Sequence, residues 1–148
     1  MHKNYRAYRI KRKARLDNSG SAAIEFALIA PILIIILSGI LCYGVYYGAA
    51  NSVQQIAADA ARASVAGLND AERASLARSH VAQAAPSFVL INPSRLTVKA
   101  NPSSASADVF EISVSYDASS LAIWAFSGLL PLPPRVIVRT AAIQRGGY

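Results

Sequence analysis

No charged side chain occurs between Glu25 and Asp59, and within that interval residues 26–48 read FALIAPILIIILSGILCYGVYYG. As a helix this run extends ~34 Å at ~1.5 Å per residue, enough to cross a ~30 Å hydrocarbon core with modest tilt. The competing reading is a buried core helix of a soluble protein, but such helices seldom run so long without a charge. Tyr43, Tyr46 and Tyr47 gather at the far end, where interfacial aromatics belong. The pattern predicts a membrane-spanning helix bounded by Phe26 and Gly48, with Pro31 inside it and membrane lipid around it.

The charge lies on one side of that helix. Within residues 1–20, Lys3, Arg6, Arg9, Lys11, Arg12, Lys13 and Arg15 oppose Asp17 alone, a net +6 of the chain's formal +7. Basic flanks stay inside, so a cytoplasmic N-terminus and an extracytoplasmic C-terminal domain are expected. Alone, such a cluster would read as a nucleic-acid patch. Beside a membrane span, orientation is the simpler cause, and no nucleic acid is expected as a partner. With 53% hydrophobic and 16% charged residues the chain is not of the disordered class. Cys42 is the single cysteine, which excludes a disulfide framework and a cysteine-rich zinc module. His2 and His80 leave no material for a histidine metal site, so neither metal nor cofactor is expected.

A secretory signal shares the order basic, apolar, small, with a candidate cut at Gly48-Ala49-Ala50. The apolar run is much longer than the ~7–15 residues of a signal core. Leu41 immediately before Cys42 also makes a poor lipoprotein processing site. The informative segment is instead Gly20-Ser21-Ala22-Ala23-Ile24-Glu25-Phe26. A carboxylate at the mouth of an apolar helix is tolerated in the first turn, where the dipole favours it and water is near. A sharper reading follows if the chain is cut after Gly20. The new Ser21 amine would then sit about one turn from Glu25, or from a neighbouring subunit's copy. Such a pair would neutralise both groups and set the axial register of packed helices. Glycine suits the cut because it enters a protease site without a side chain.

Basic leader, glycine, four residues, glutamate, aromatic and apolar helix together resemble the type IV prepilin processing signal. The run SAAIEFALIAP, residues 21–31, resembles more specifically the opening of the TadE-like family, minor pseudopilins of the tight-adherence (Flp/Tad) pilus. The glycine- and tyrosine-rich exit, Gln54-Gln55 and Asp59-Ala60-Ala61-Arg62 agree with it. The motif resemblance spans residues 18–66 and is architectural beyond them. It implies cleavage by a prepilin peptidase between Gly20 and Ser21, often with methylation of the new amine. It also implies packing through Glu25 and Phe26 with pilin and other pseudopilin subunits at the inner-membrane assembly machinery, in a pilus serving surface adherence and biofilm formation. Major pilins of this system are little more than a helix, whereas residues 67–148 here follow the helical part, which favours a pseudopilin. TadG-like relatives carry longer outer domains, and TadF-like pseudopilins are of similar size.

Past the span, Val53, Ile56, Ala57, Ala60 and Ser64 share one face at helical spacing. Arg62, three residues after Asp59, offers a surface ion pair. Gly67 is a natural stop and Asn69 or Asp70 a natural start. A second helix fits Asp70 to Ala85, with Ala74, Ala77, Val81 and Ala84 inward, Pro86 closing it and His80 facing solvent. Strands are expected at Phe88 to Ile91, Arg95 to Lys99, Val109 to Tyr116 and Arg135 to Gln144, with a turn at Asn101 to Ser104. In the third, Phe110, Ile112, Val114 and Tyr116 line one face. The fold class is therefore α+β: a long N-terminal transmembrane, pilin-like helix (21–66), then a second helix and a small antiparallel sheet (67–148).

Residues 121–130, LAIWAFSGLL, are apolar but too short to span a membrane, and Pro131, Pro133 and Pro134 end them. They form either a cover over the sheet or an exposed patch at Trp124 and Phe126 for a pilus partner or the membrane surface. No nucleophile elbow, phosphate loop or clustered carboxylates appear, so the chain is expected to be an enzyme's substrate and not an enzyme. The alternative function is a permanent bitopic protein whose outer domain is a protein-interaction module, with the spacing of Gly20 and Glu25 accidental.

Overall fold

The computed structural model describes residues 18–106 and 108–144, so the basic residues from Lys3 to Arg15, with His2 and Asp17, lie outside the described residues. The chain divides into two compact units between Ile34 and Ile35. Helix α1 runs Asn18–Ser64 and α2 runs Asp70–Ala84, followed by strands β1 (Leu96–Pro102), β2 (Val109–Asp117) and β3 (Val136–Gln144). Short 3-10 turns lie between them at Ala85–Ser87, Pro93–Arg95, Ala118–Ser120 and Ala122–Phe126. The sheet is antiparallel in the order β1-β2-β3, with Val98 opposite Val114 and Val114 opposite Arg139. The expected α+β class, with its long apolar helix, second helix and small antiparallel sheet, is what the chain forms.

In the second unit one core joins all of these elements. The expected face of α1, Val53, Ile56, Ala57, Ala60 and Ser64, is fully buried, extended by Ala49 and Ala50. Small side chains there allow close approach. The Ser64 hydroxyl donates to the Ala61 carbonyl at 2.7 Å, which removes the cost of burying it. Strand β2 alternates strictly, with Phe110, Ile112, Val114 and Tyr116 inward, as the period of two demands. Ala74, Ala77 and Val81 of α2 complete the core, while Ala84 and His80 are half-buried. His80 is thus not the solvent-facing residue expected: three positions after Ala77, it borders the buried face.

Helix α2 starts where expected. The Asn69 side chain accepts from the Glu72 N–H at 2.9 Å, and the Glu72 carboxylate accepts from the Leu68 N–H at 2.9 Å. Asp59 and Arg62 form their i,i+3 ion pair on α1. Gly67 differs from expectation in its reason. Helix α1 ends three residues earlier at Ser64, and no described glycine has positive φ. Gly67 is instead a point of close approach, since a Cβ there would lie 2.6 Å from the Arg73 backbone nitrogen.

Two strand boundaries also differ. Phe88 to Ile91 is not a strand: the Phe88 N–H bonds the Ala85 carbonyl and the Ile91 N–H the Phe88 carbonyl, which uses the donors in local turns. Pro86 and Pro93 flank the segment and supply no ladder donors. Its apolar residues are still used, with Ile91 buried and Phe88 and Leu90 half-buried against the core. The Tyr116 hydroxyl holds the segment by donating to the Leu90 carbonyl at 3.1 Å and accepting from the Asn92 N–H at 3.4 Å. At the other boundary, β1 continues through Asn101 to Pro102. A proline is compatible with pairing there because β1 is an edge strand.

Candidate functional site

The mouth of the apolar helix lies in the first unit. Gly20, Ser21, Glu25 and Phe26 are all helical and exposed. The Ser21 hydroxyl donates to Glu25 Oε1 at 3.2 Å, an i,i+4 contact on one face of α1. Among the described residues no cation pairs with Glu25. Nothing lies within 4 Å of where a Cβ on Gly20 would stand. A glycine inside a helix costs ~1 kcal/mol relative to alanine, and no described packing requires it at position 20. Gly44 is equally open, but it lies in the apolar run, where glycine is common. By contrast, a Cβ on Gly48 would meet Leu90 Cδ1 at 2.9 Å, so that glycine serves the second unit's packing.

Around and beyond Glu25 the helix surface is apolar and bare. Ile24, Phe26, Leu28, Ile29, Ile32 and Leu33 are 48% to 69% exposed and are spread around the helix, not along one stripe. A core helix buries such residues, whereas a membrane span presents them on all sides. Pro31 stands inside the helix, leaving the Ala27 carbonyl without its usual N–H partner, a defect tolerated in membrane helices. Helix α1 is, by length and composition, able to cross a membrane, and is compatible with a single-pass membrane protein.

In the second unit, Trp124 and Phe126 occupy the 3-10 turn Ala122–Phe126. They have different environments. The Trp124 indole N–H donates to the Ala118 carbonyl at 2.7 Å, and the Arg135 guanidinium lies 5.0 Å over its ring, so Trp124 anchors the loop. Phe126 remains exposed. Two contacts to α1 had no counterpart in the sequence reading. The Tyr43 hydroxyl donates to the Pro131 carbonyl at 2.6 Å, and a Cβ on Gly39 would rest 3.8 Å from Leu130 Cδ2. Tyr43, Tyr46 and Tyr47 form a ring cluster with centroids 6.0 to 6.2 Å apart along that chain of contacts. Tyrosine clustering was the available signal for this level of the helix, but it does not name the partner.

Away from both places, Asp117 has a shifted carboxyl. The Ser119 hydroxyl and N–H, and then the charge of Arg95, hold the Asp117 carboxyl below its ordinary range, partly opposed by desolvation. Arg95 Nη1 meets Asp117 Oδ2 at 2.8 Å on the surface. Among the described residues, no three His, Cys, Asp or Glu side chains converge where a metal ion could bind.

Residues 20–62 match the family model described as TadE-like protein. The match begins at the glycine and ends within α1, so it covers the mouth of the helix, the apolar run and the core residues of α1 up to Ala61. It bears out the resemblance read from SAAIEFALIAP and points to a Tad pilus-associated protein. No curated protein and no solved structure matches the chain.

Proposed function

We propose that this chain is a minor pseudopilin of a Flp/Tad-type pilus, cut between Gly20 and Ser21 by a prepilin peptidase. Before assembly it is a single-pass protein of the inner membrane, with residues 1–20 cytoplasmic and the C-terminal domain outside. After cutting, α1 packs among pilin and other pseudopilin helices at the assembly machinery, contributing to surface adherence. The chain is a substrate of an enzyme and carries no catalysis of its own.

The observation that carries this reading is the pairing of Ser21 with Glu25 on one helical face, directly after a glycine that the described packing does not need. Once the peptide bond after Gly20 is hydrolysed, the backbone nitrogen of Ser21 becomes an ammonium group on the residue whose hydroxyl already reaches Glu25. The carboxylate then gains a positive partner as the helix enters an apolar assembly. The supporting test is co-expression with a prepilin peptidase followed by N-terminal sequencing. Ser21 should be the first residue of the mature chain, and Gly20→Leu should leave the chain uncut. A mature chain beginning at Met1 or Asn51 would remove the pseudopilin reading.

A further inference from the structure

The loop that follows β2 is fastened to α1 at a level that has a consequence for the membrane. Leu130 rests against Gly39, Pro131 accepts from Tyr43, and Ala122, Ile123 and Phe126 share an apolar cleft of about 150 Å³ with Leu41, Cys42 and Val45. Loop residues 122–131 therefore stand beside residues 39–45 of α1. Positions 39–43 precede Tyr46 by three to seven residues, ~5–10 Å along a helix axis. The loop therefore stands level with the start of the tyrosine cluster, at Tyr43 and Val45, and reaches from there about one turn toward the apolar run, to Gly39.

Its free surface matches such a position. No charge occurs between Asp117 and Arg135. Phe126 and Leu129 are 37% and 69% exposed, and Phe126 lines the same cleft as the exposed Leu41 of α1. Part of the backbone is also satisfied without water. The N–H groups of Ser127, Leu129 and Leu130 bond the carbonyls of Trp124, Phe126 and Phe126, and the indole N–H bonds Ala118. Pro131, Pro133 and Pro134 have no N–H to satisfy. Arg135 then returns the chain to polar surroundings, its guanidinium over the Trp124 ring.

We propose that the loop from Leu121 to Pro134 inserts into the outer leaflet of the bilayer, with Phe126 and Leu129 among the acyl chains near the headgroup boundary. The proposal rests on the single-pass reading of α1. Lipid is the occupant because the surface is continuous with the exposed apolar face of the helix and lies at the depth reached by interfacial elements, ~5–10 Å. The domain is thereby held flat against the membrane before assembly, and extraction of α1 must also pull the loop free.

Trp124 is the chain's single tryptophan and reports on the loop directly. The full chain is reconstituted in phosphatidylcholine vesicles brominated either near the headgroup end or near the terminus of the acyl chain. Trp124 emission should be lost mainly to the shallow bromines and be protected from aqueous iodide. Quenching by iodide without quenching by bromines would overturn the proposal, as would shielding from both, which would mean that protein covers the loop. A second chain, Trp124→Phe with Ile34→Trp, separates the two readings. Deep quenching at position 34 with none at Trp124 rejects the loop insertion alone; no quenching at either site rejects the membrane span itself.

Discussion

A Cβ on Gly67 would stand 2.6 Å from the backbone nitrogen of Arg73, while the Arg73 Nε–H donates to the Gly67 carbonyl at 3.0 Å. The link between α1 and α2 is closed by this approach, and backbone cannot swing aside as a side-chain tip can. Gly67→Ala should therefore destabilise the domain by ~1–3 kcal/mol, the range for overpacking that shifts backbone. Gly20→Ala, with open space around it, should leave stability unchanged or slightly raised. Denaturant unfolding of the full chain in detergent, followed by far-UV circular dichroism, compares the two.

The Tyr116 hydroxyl is the tie between the central strand and the turn at Phe88 to Ile91. Tyr116→Phe keeps the ring in the core but leaves the Leu90 carbonyl without its donor. A loss of ~1–2 kcal/mol is expected for a hydrogen bond of this kind. Amide hydrogen exchange should rise at Ile91 and Asn92 more than in β2. Equal protection in both proteins would show that the segment is held by burial alone.

Asp117 gives the domain a weak acid sensitivity. Its carboxylate is favoured by Ser119 and then by Arg95, so its folded pKa lies below the ordinary ~3.9 of the unfolded chain. The resulting stabilisation is complete above the unfolded value and is lost as pH falls through the folded one. Wild type should exceed Asp117→Asn in melting temperature at neutral pH, and the gap should close below pH ~4. A constant gap across that window would mean that Asn replaces the contacts without regard to charge.

Local patterns in the sequence were legible where one period ran long enough. The buried face Val53 to Ser64 obeys the helical period, and Phe110 to Tyr116 the strand period, and both stand as read. The run Phe88 to Ile91 misled because four consecutive apolar residues carry no period, and the flanking prolines favour turns as readily as strand ends. At the mouth of the helix the contact of Ser21 with Glu25 follows from their i,i+4 spacing, which sequence displays directly. The loop's attachment to α1 was not legible. Tyr43 and Pro131 are 88 positions apart, and a hydroxyl-to-carbonyl bond leaves no mark in composition or spacing.

Topology can be checked without assembly. An alkaline phosphatase fused after Tyr148 should be active, and a reporter that works only in the cytoplasm should be silent there. The +6 charge of residues 1–20 against +1 for the remainder motivates this orientation. Replacing Lys11, Arg12, Lys13 and Arg15 with glutamine should raise the share of inverted chains.

Glu25→Gln should separate cutting from assembly. A peptidase acting after Gly20 needs the glycine and reachable backbone, and Glu25 lies a further turn along α1, with its contact to Ser21 on the helix surface. Cutting should thus proceed nearly as in wild type. Assembly is different, because there the mouth of the helix leaves the membrane interface, where water reaches Glu25, for an apolar bundle. Opposite charges ~4 Å apart attract by ~4 kcal/mol at an effective dielectric of ~20, and an unpaired charge in such a place is costly. The Gln variant leaves the Ser21 ammonium without its carboxylate, so crosslinking to pilin partners and piliation should fall sharply while the cut form accumulates. Glu25→Asp should be intermediate, since it keeps the charge with a shorter reach. An immunoblot for the cut form, run beside the crosslinking assay, distinguishes the steps. Normal crosslinking in Glu25→Gln would reduce Glu25 to a first-turn residue favoured by the helix dipole, whatever the fate of the bond after Gly20.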